Sequence, residues 1–213
     1  MKTDDLITML SSGPDVRLAA RPARVTLLPL SAGLLASALL MWLLLGLHPN
    51  LAGEVLLPAF WTKLAFSAAL AWAGWLAVQR LCRPGARLGG LPLWLGGPVL
   101  VLWCAATVLL LQAAPDARAE LFWGRTWRYC PLLIATLSLP IFVAALHTMR
   151  GLAPTRLRLA GAAAGFAAGA AAAVVYCLHC PELSPVFVGF WYLLGMLAPT
   201  ALGAAIGPRM LAW

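Results

Sequence analysis

Charge is scarce in this chain. Only 10% of its 213 residues are Asp, Glu, Lys or Arg, with seven acids and three histidines in all. A soluble core of this length needs a polar shell, and so few charges cannot supply one. Other absences exclude functions. There is no Ser–His–Asp set, phosphate-cradling glycine loop or dinucleotide fingerprint, so the chain does not read as an enzyme and implies no cofactor. The apolar stretches carry no carboxylate at mid-depth, which argues against a proton or ion pump and against an exporter. No nucleotide-sized loop or soluble domain separates those stretches.

What fills the sequence instead is apolar surface. Hydrophobic residues make up 62% of the chain, and mean hydropathy is +0.89. Six runs stand out, at about 26–47, 58–78, 91–113, 130–149, 157–178 and 186–207. Each reaches the roughly 20 residues that a helix needs to cross a hydrocarbon core, and in lipid only helices and closed barrels satisfy their own backbone groups. The fold class is therefore all-α: a polytopic six-transmembrane-helix bundle, with residues 1–25 as a tail and 26–213 as one membrane domain. Some 25 mostly polar residues precede the first run, so it does not read as a signal peptide.

Orientation follows from lysine and arginine. Lys2, Arg17, Arg21, Arg24, Arg80, Arg83, Arg87, Arg150, Arg156, Arg158 and Arg209 fall on one side, eleven in all, against four on the other: Lys63, Arg118, Arg125 and Arg128. The richer side is cytoplasmic, so both termini are expected inside, in a bacterial inner membrane. The pI near 10.0 then needs no nucleic-acid partner, since the excess charge faces anionic lipid. Lys63 lies near a run's end, where it is expected to snorkel to the interface.

The tail begins "MKTDDLITMLSSGP". Thr3 suits an N-cap, and Asp4 and Asp5 then sit in the first turn, where negative charge favours the helix dipole. Leu6, Ile7 and Leu10 share one face, and Ser11 to Pro14 end the element. So short a helix is marginal alone and needs a lipid face or a protein partner. In the third-to-fourth connection, Phe122, Trp123, Trp127 and Tyr129 beside Arg125 and Arg128 read as an interfacial helix in an aromatic belt. The fifth run places Gly161, Gly165 and Gly169 four apart, a smooth stripe for close helix packing, with Gly203 and Gly207 offering the same spacing in the sixth. Whether this seam also dimerises the chain stays open. Short turns suggest three helix hairpins.

Five cysteines remain. Cys82 in a turn and Cys104 in mid-run read as small hydrophobes. Cys130, Cys177 and Cys180 all fall at the extracytoplasmic surface, the last two in "YCLHCPELSP" as a C-x-x-C. That motif fits a redox pair, half of a metal site or nothing. A Cys177–Cys180 bond would close a single turn and constrain little, whereas a bond from Cys130 to the turn would tie two spans together. His179, Glu182 and His48 add borderline metal ligands, but no second pair completes a site and no stable metal is expected. Which of Cys177 and Cys180 would pair with Cys130 is open at this level.

Several stretches together are similar to one bacterial family: "MKTDDLI", "PAFWTKLAF", "LSLP", "GLAPTRLRLAGAAAGFAAG" and above all "YCLHCPELSPVFVGFWYLLGMLAPTALGAAIGPRMLAW". The chain resembles the NrsF family of six-span negative regulators of extracytoplasmic-function sigma factors, over nearly its whole length. The resemblance implies an anti-sigma factor that holds its sigma factor at the membrane and releases it on oxidative or heavy-metal stress. It implies that Cys130 and Cys180 are the sensing pair, with Cys177 an extra thiol and His179 beside them. It also implies a sigma-factor partner for Asp4, Asp5, Leu6, Ile7 and Leu10. The competing expectation is a quinone-linked membrane thiol oxidoreductase using the C-x-x-C.

Overall fold

The structure is a computed structural model that describes residues 3–11, 23–82, 89–152 and 154–212, apart from the side chains of 6, 7, 10, 11 and 23–26. Lys2, Ser12 to Pro14, Arg17, Arg21, Arg83 and Arg87, and the side chains of Leu6, Ile7, Leu10 and Arg24, lie outside it. Among the described residues the regular elements are all helical. They are α1 (Thr3–Ser11), α2 (Ala23–Leu44), α3 (Leu51–Glu54), α4 (Pro58–Leu81), α5 (Leu91–Gln112), α6 (Pro115–Trp123), α7 (Cys130–Arg150) and α8 (Leu157–Tyr176). After these come α9 (Pro185–Phe187), a π-helical turn (Val188–Tyr192) and α10 (Leu193–Met210), which run on as one rod.

Six helices are long and apolar enough to cross a membrane, each ending within three residues of its apolar run. Proline at a first or second position starts α4, α5, α6, α7 and α9, where its missing N–H costs nothing. Helix α1 begins at Thr3 itself, with Asp4 and Asp5 in its first turn.

Burial sorts the spans into centre and periphery. Two-thirds of α8 (67%) is buried, against 17% of α2 and 11% of α5, so α8 is the axis and those two face outward. The outward faces are large and greasy: Leu35, Trp42, Leu93, Val101 and Val143 are all exposed, as lipid-facing positions are.

Alanine and glycine make α8 the axis, because side chains this small let neighbouring backbones close in. A Cβ on Gly161 would run into the Gly203 carbonyl oxygen, and one on Gly165 into the Pro199 carbonyl oxygen. At Gly169 the same Cβ would stand 2.9 Å from the Met196 Cα. Gly203 and Gly207 answer from α10, where a Cβ added to the latter would stand 2.5 Å from the Leu157 carbonyl oxygen. A similar approach brings Gly74 of α4 onto Ala167 of α8, and Gly33 of α2 onto Ala144 of α7.

The expected hairpin of the first two spans does not form. Helix α2 rests on α7 and to a smaller extent on α8, while it hardly touches α4. An apolar crevice of about 250 Å³, lined by Leu27, Leu34, Ala71, Trp75 and Ile141, separates it from α4. Gly33 explains the choice, since it fits Ala144 of α7 and α4 presents bulky Trp75 instead.

The loops 45–57, 113–129 and 177–184 gather at one end of the bundle, as the hydrogen bonds from His48 N–H to Leu178 O and from Arg125 N–H to Glu182 show. At the other end the Arg150 Nε–H donates to Met210 O at 2.6 Å, closing α7 onto α10.

The seam makes a direct prediction. Gly165→Ala should lower unfolding stability in micelles by about 1–3 kcal/mol through overpacking. Gly96→Ala in α5 has open space around it and should change stability by less than about 0.5 kcal/mol. Denaturant titration of both variants checks the contrast, and equal effects would contradict the close approach.

Candidate functional site

Three thiols converge at the end where the loops gather. Cys130 is the first residue of α7, and Cys177 caps α8 in helical conformation. Beyond it the Cys180 N–H donates to Tyr176 O at 3.0 Å, so the chain makes one more turn before leaving the helix. All three are free thiols with no exposed surface. They are therefore buried beneath the membrane surface where the sequence expectation put them, because the neighbouring loops fold over them.

The two cysteines of the C-x-x-C go to different helices. Cys177 faces α4, its Sγ 3.8 Å from the Ser67 Oγ. Cys180 faces α7: its thiol lies within interaction range of that of Cys130, and Thr126 Oγ1 lies 3.9 Å from its sulfur. The geometry thus brings Cys130 to Cys180 and sets Cys177 aside. The Tyr176 hydroxyl reaches Cys130. Tyr192, fully buried with a hydroxyl that closes no hydrogen bond, faces both C-x-x-C sulfurs.

Lys63 requires a correction. It does not snorkel to the interface: it is 1% exposed, and its ammonium donates to the Cys180 carbonyl oxygen at 2.7 Å. The Phe60 ring centroid lies 5.4 Å from the same nitrogen. A strong acceptor inside the bundle replaced the water that snorkelling would have sought.

The turn that carries Cys180 is clamped from several sides. The Glu182 carboxylate accepts the Arg125 N–H at 2.7 Å. Gly124 permits this with a φ of +54°, and a Cβ there would press on the carboxylate at 2.8 Å. The Ser184 hydroxyl donates to Leu121 O at 3.2 Å, and the His48 N–H to Leu178 O at 3.1 Å. His179 turns its Nδ1 to the Gly46 carbonyl at 3.0 Å, away from the sulfurs. His48 pairs with Glu54 at 3.2 Å. The borderline ligands of the sequence reading are thus engaged elsewhere. Among the described residues no three His, Cys, Asp or Glu side chains form a metal-holding group.

The aromatic residues do more than form a belt. Trp191, swung inward by the π turn, stacks with Phe122, Trp123 and Trp127 at centroid distances of 5.8, 5.6 and 5.3 Å. Its Nε1–H donates to Phe122 O at 2.8 Å. This block ties α6 and the loop before Cys130 to the start of the last span. Only Tyr129 and Trp123 keep large exposed surfaces.

The thiols differ in acidity. The Cys130 thiol beside it lowers Cys180 to about 6, helped by the Glu182 N–H, Tyr192 and Lys63, against the desolvation that raises it. Desolvation pushes Cys177 up to about 11, although Lys63 and Ser67 pull the other way. The environment thus favours the thiolate at Cys180 and the neutral thiol at Cys177.

Sequence reasoning missed Lys63, Ser67, Thr126, Tyr176 and Tyr192. Lys63 had a legible signal, an ionisable residue inside an apolar run. The other four had none, since hydroxyl groups in spans are ordinary. At the opposite extreme of the chain, Asp4 and Asp5 are exposed on α1, which takes no part in the helix pairs that build the bundle among the described residues.

Comparison with known proteins bears on this arrangement. A family model described as "Negative regulator of sigma F" matches residues 10–213. The chain belongs to the NrsF family. A probable anti-sigma-F factor NrsF of Azospira oryzae is 52% identical over 213 residues, covering all of both chains. The anti-sigma-F factor NrsF of Caulobacter vibrioides is 40% identical over 218 residues, again over the whole of each. No solved structure matches. For this NrsF member the thiol cluster, the N-terminal helix and the basic end of the bundle are therefore all inside the matched or aligned length.

Ultraviolet titration of thiolate in the reduced protein should show one group with a midpoint of about 6, absent from Cys180→Ser, while the Cys177 thiol stays protonated to about 11. A lowered folded-state value adds stability above the thiol's ordinary value and loses it as pH falls through about 6. Unfolding in micelles should accordingly become easier towards pH 5, and less steeply so in Cys180→Ser.

Proposed function

We propose that this chain is a membrane-bound anti-sigma factor. It holds a sigma factor of the extracytoplasmic-function class at the inner face of a bacterial cytoplasmic membrane and releases it under thiol-reactive stress, oxidants above all. Residues 1–25 are the cytoplasmic tail and 26–213 the six-span domain, with both termini inside. The observation that carries the reading is the convergence of two free, buried thiols, Cys130 at the start of α7 and Cys180 in the turn after α8. Membership of a family of sigma-F regulators and the relatives' own names supply the partner class.

The orientation rests on positive charge. Setting aside Lys63, whose ammonium is turned inward, three basic residues remain at the thiol end against eleven at the other. That puts the thiols in the compartment where disulfides persist and the exposed Arg150, Arg156, Arg158 and Arg209 beside the cytoplasm.

Oxidation removes two protons and two electrons from the pair and joins the sulfurs at about 2.05 Å. Two sulfurs that are not bonded stand at van der Waals separation or beyond and must close by more than 1 Å to join, which draws the start of α7 towards the turn after α8. Helix α7 also packs against α2 and α10, so the shift is felt by the helices that reach the inner face. There Asp4 and Asp5, with Leu6, Ile7 and Leu10, dock the sigma factor, the acids meeting basic residues that otherwise contact DNA. Release needs only a differential affinity of a few kcal/mol between two bundle states, about 1.4 for each tenfold change.

Solubilised protein should retain its sigma factor in a pulldown, and deletion of residues 1–12 should cut retention at least tenfold. Undiminished retention would move the docking site to the inner turns around Arg83 and Arg156. The double variant Cys130→Ser, Cys180→Ser should bind as the natural chain does and fail to release on peroxide. Normal release from it would refute the thiol switch.

A further inference from the structure

Lys63 is the one feature of the thiol cluster that the switch reading leaves without a role. Its ammonium is buried in the bundle, with the Cys180 carbonyl oxygen at 2.7 Å and the Phe60 ring beside it. Among the described residues no carboxylate is within ion-pair distance of it. Glu54 pairs with His48, and Glu182 is turned to the Arg125 N–H. A buried charge is costly unless an opposite charge or a full set of hydrogen bonds compensates it. One carbonyl and one ring do not complete that set, and the ammonium acts electrostatically on the nearby thiols of Cys177 and Cys180.

We infer that Lys63 is a positioning residue for the thiol pair: its buried ammonium is the counter-ion of a Cys180 thiolate and holds the turn that carries it. The inference rests on the thiol-switch reading for its purpose but not for its geometry. Every element around Cys180 contributes to the balance. Cys130 on α7 and the Glu182 N–H of its own turn favour charge on the sulfur, Tyr192 on the π turn and Tyr176 on α8 lie beside it, and Lys63 on α4 adds the only full positive charge there among the described residues. Cys177 is held protonated next to Ser67, so it does not compete for that charge.

The chemistry follows from this assignment. The Cys180 thiolate attacks one oxygen of a hydroperoxide, the O–O bond breaks, a sulfenic acid forms, and the expelled hydroxide or alkoxide takes a proton from water. The Cys130 sulfur then attacks the sulfenic sulfur. The S–S bond forms, the hydroxyl leaves as water with the Cys130 proton, and the two electrons end on the reduced peroxide. Burial of both thiols restricts the oxidant to molecules near the size of hydrogen peroxide. Without Lys63 a smaller share of Cys180 stands as pre-formed thiolate for the first attack, most visibly near pH 6.

The test uses the full chain in micelles, reduced and then exposed to hydrogen peroxide across about pH 5–9. Acid-quenched samples are scored by mass spectrometry for the Cys130–Cys180 bond, and thiolate absorbance is titrated separately. Lys63→Gln keeps a donor for the Cys180 carbonyl and removes the charge, while Lys63→Met removes both and Lys63→Arg keeps the charge. Lys63→Gln and Lys63→Met should raise the midpoint of both profiles by about one unit or more, slowing bond formation at pH 6 about fivefold. Lys63→Arg should keep the midpoint near that of the natural chain. An unchanged midpoint in Lys63→Gln, with or without a uniform loss of rate, overturns the inference and leaves the switch standing. If the natural chain forms no bond, the switch reading falls, and the thiolate midpoints still decide the role of Lys63.

Discussion

The close approach of α8 to α10 sets the place of everything at the thiol end. Glycine at 161, 165 and 169 lets the α8 backbone lie against Gly203, Pro199 and Met196. Two helices locked this tightly leave the chain between them only residues 177–184 in which to turn. That short connection carries Cys177, His179, Cys180 and Glu182. A bulkier seam would spread the helices and carry Cys180 away from α7. Packing in a membrane lacks the hydrophobic drive available in water, so close van der Waals contact between small residues has to supply the cohesion.

Polar groups inside this bundle are few, and several of them lie near the turn, while Ser37, Ser138 and Thr148 are buried along α2 and α7. Lys63 and Ser67 from α4, Tyr192 from the π turn and Thr126 before α7 reach for the same small region. Elsewhere the core is alanine, leucine and phenylalanine. A low-dielectric shell strengthens whatever charges it encloses. The same burial that keeps Cys177 neutral leaves Cys180 acidic, because donors are aimed at one sulfur more than the other. This split also weighs against a quinone-linked oxidoreductase, in which the C-x-x-C sulfurs would have to face each other. Helix α7 joins the thiol end of the bundle to the opposite end as one continuous element. It begins at Cys130 and ends at Arg150, whose side chain holds the end of α10.

Composition and pattern alone determined a good deal. Length and hydropathy placed all six spans, since a helix in lipid must be long and apolar whatever it packs against. The spacing of Gly161, Gly165 and Gly169 put them on one face, because helical period is a local property. Residue order placed Cys130 at a helix start and Cys180 in a turn. What no local rule supplies is the identity of neighbours across the bundle. Only the tertiary structure decided that α2 leans on α7 and that Trp191 gathers Phe122, Trp123 and Trp127 into a block. It alone sent Cys177 to Ser67 and Cys180 to Cys130, and turned Lys63 inward to a carbonyl 117 residues away. Those choices depend on which small side chain meets which bulky one between helices distant in sequence, and that complementarity exists only once the helices are assembled.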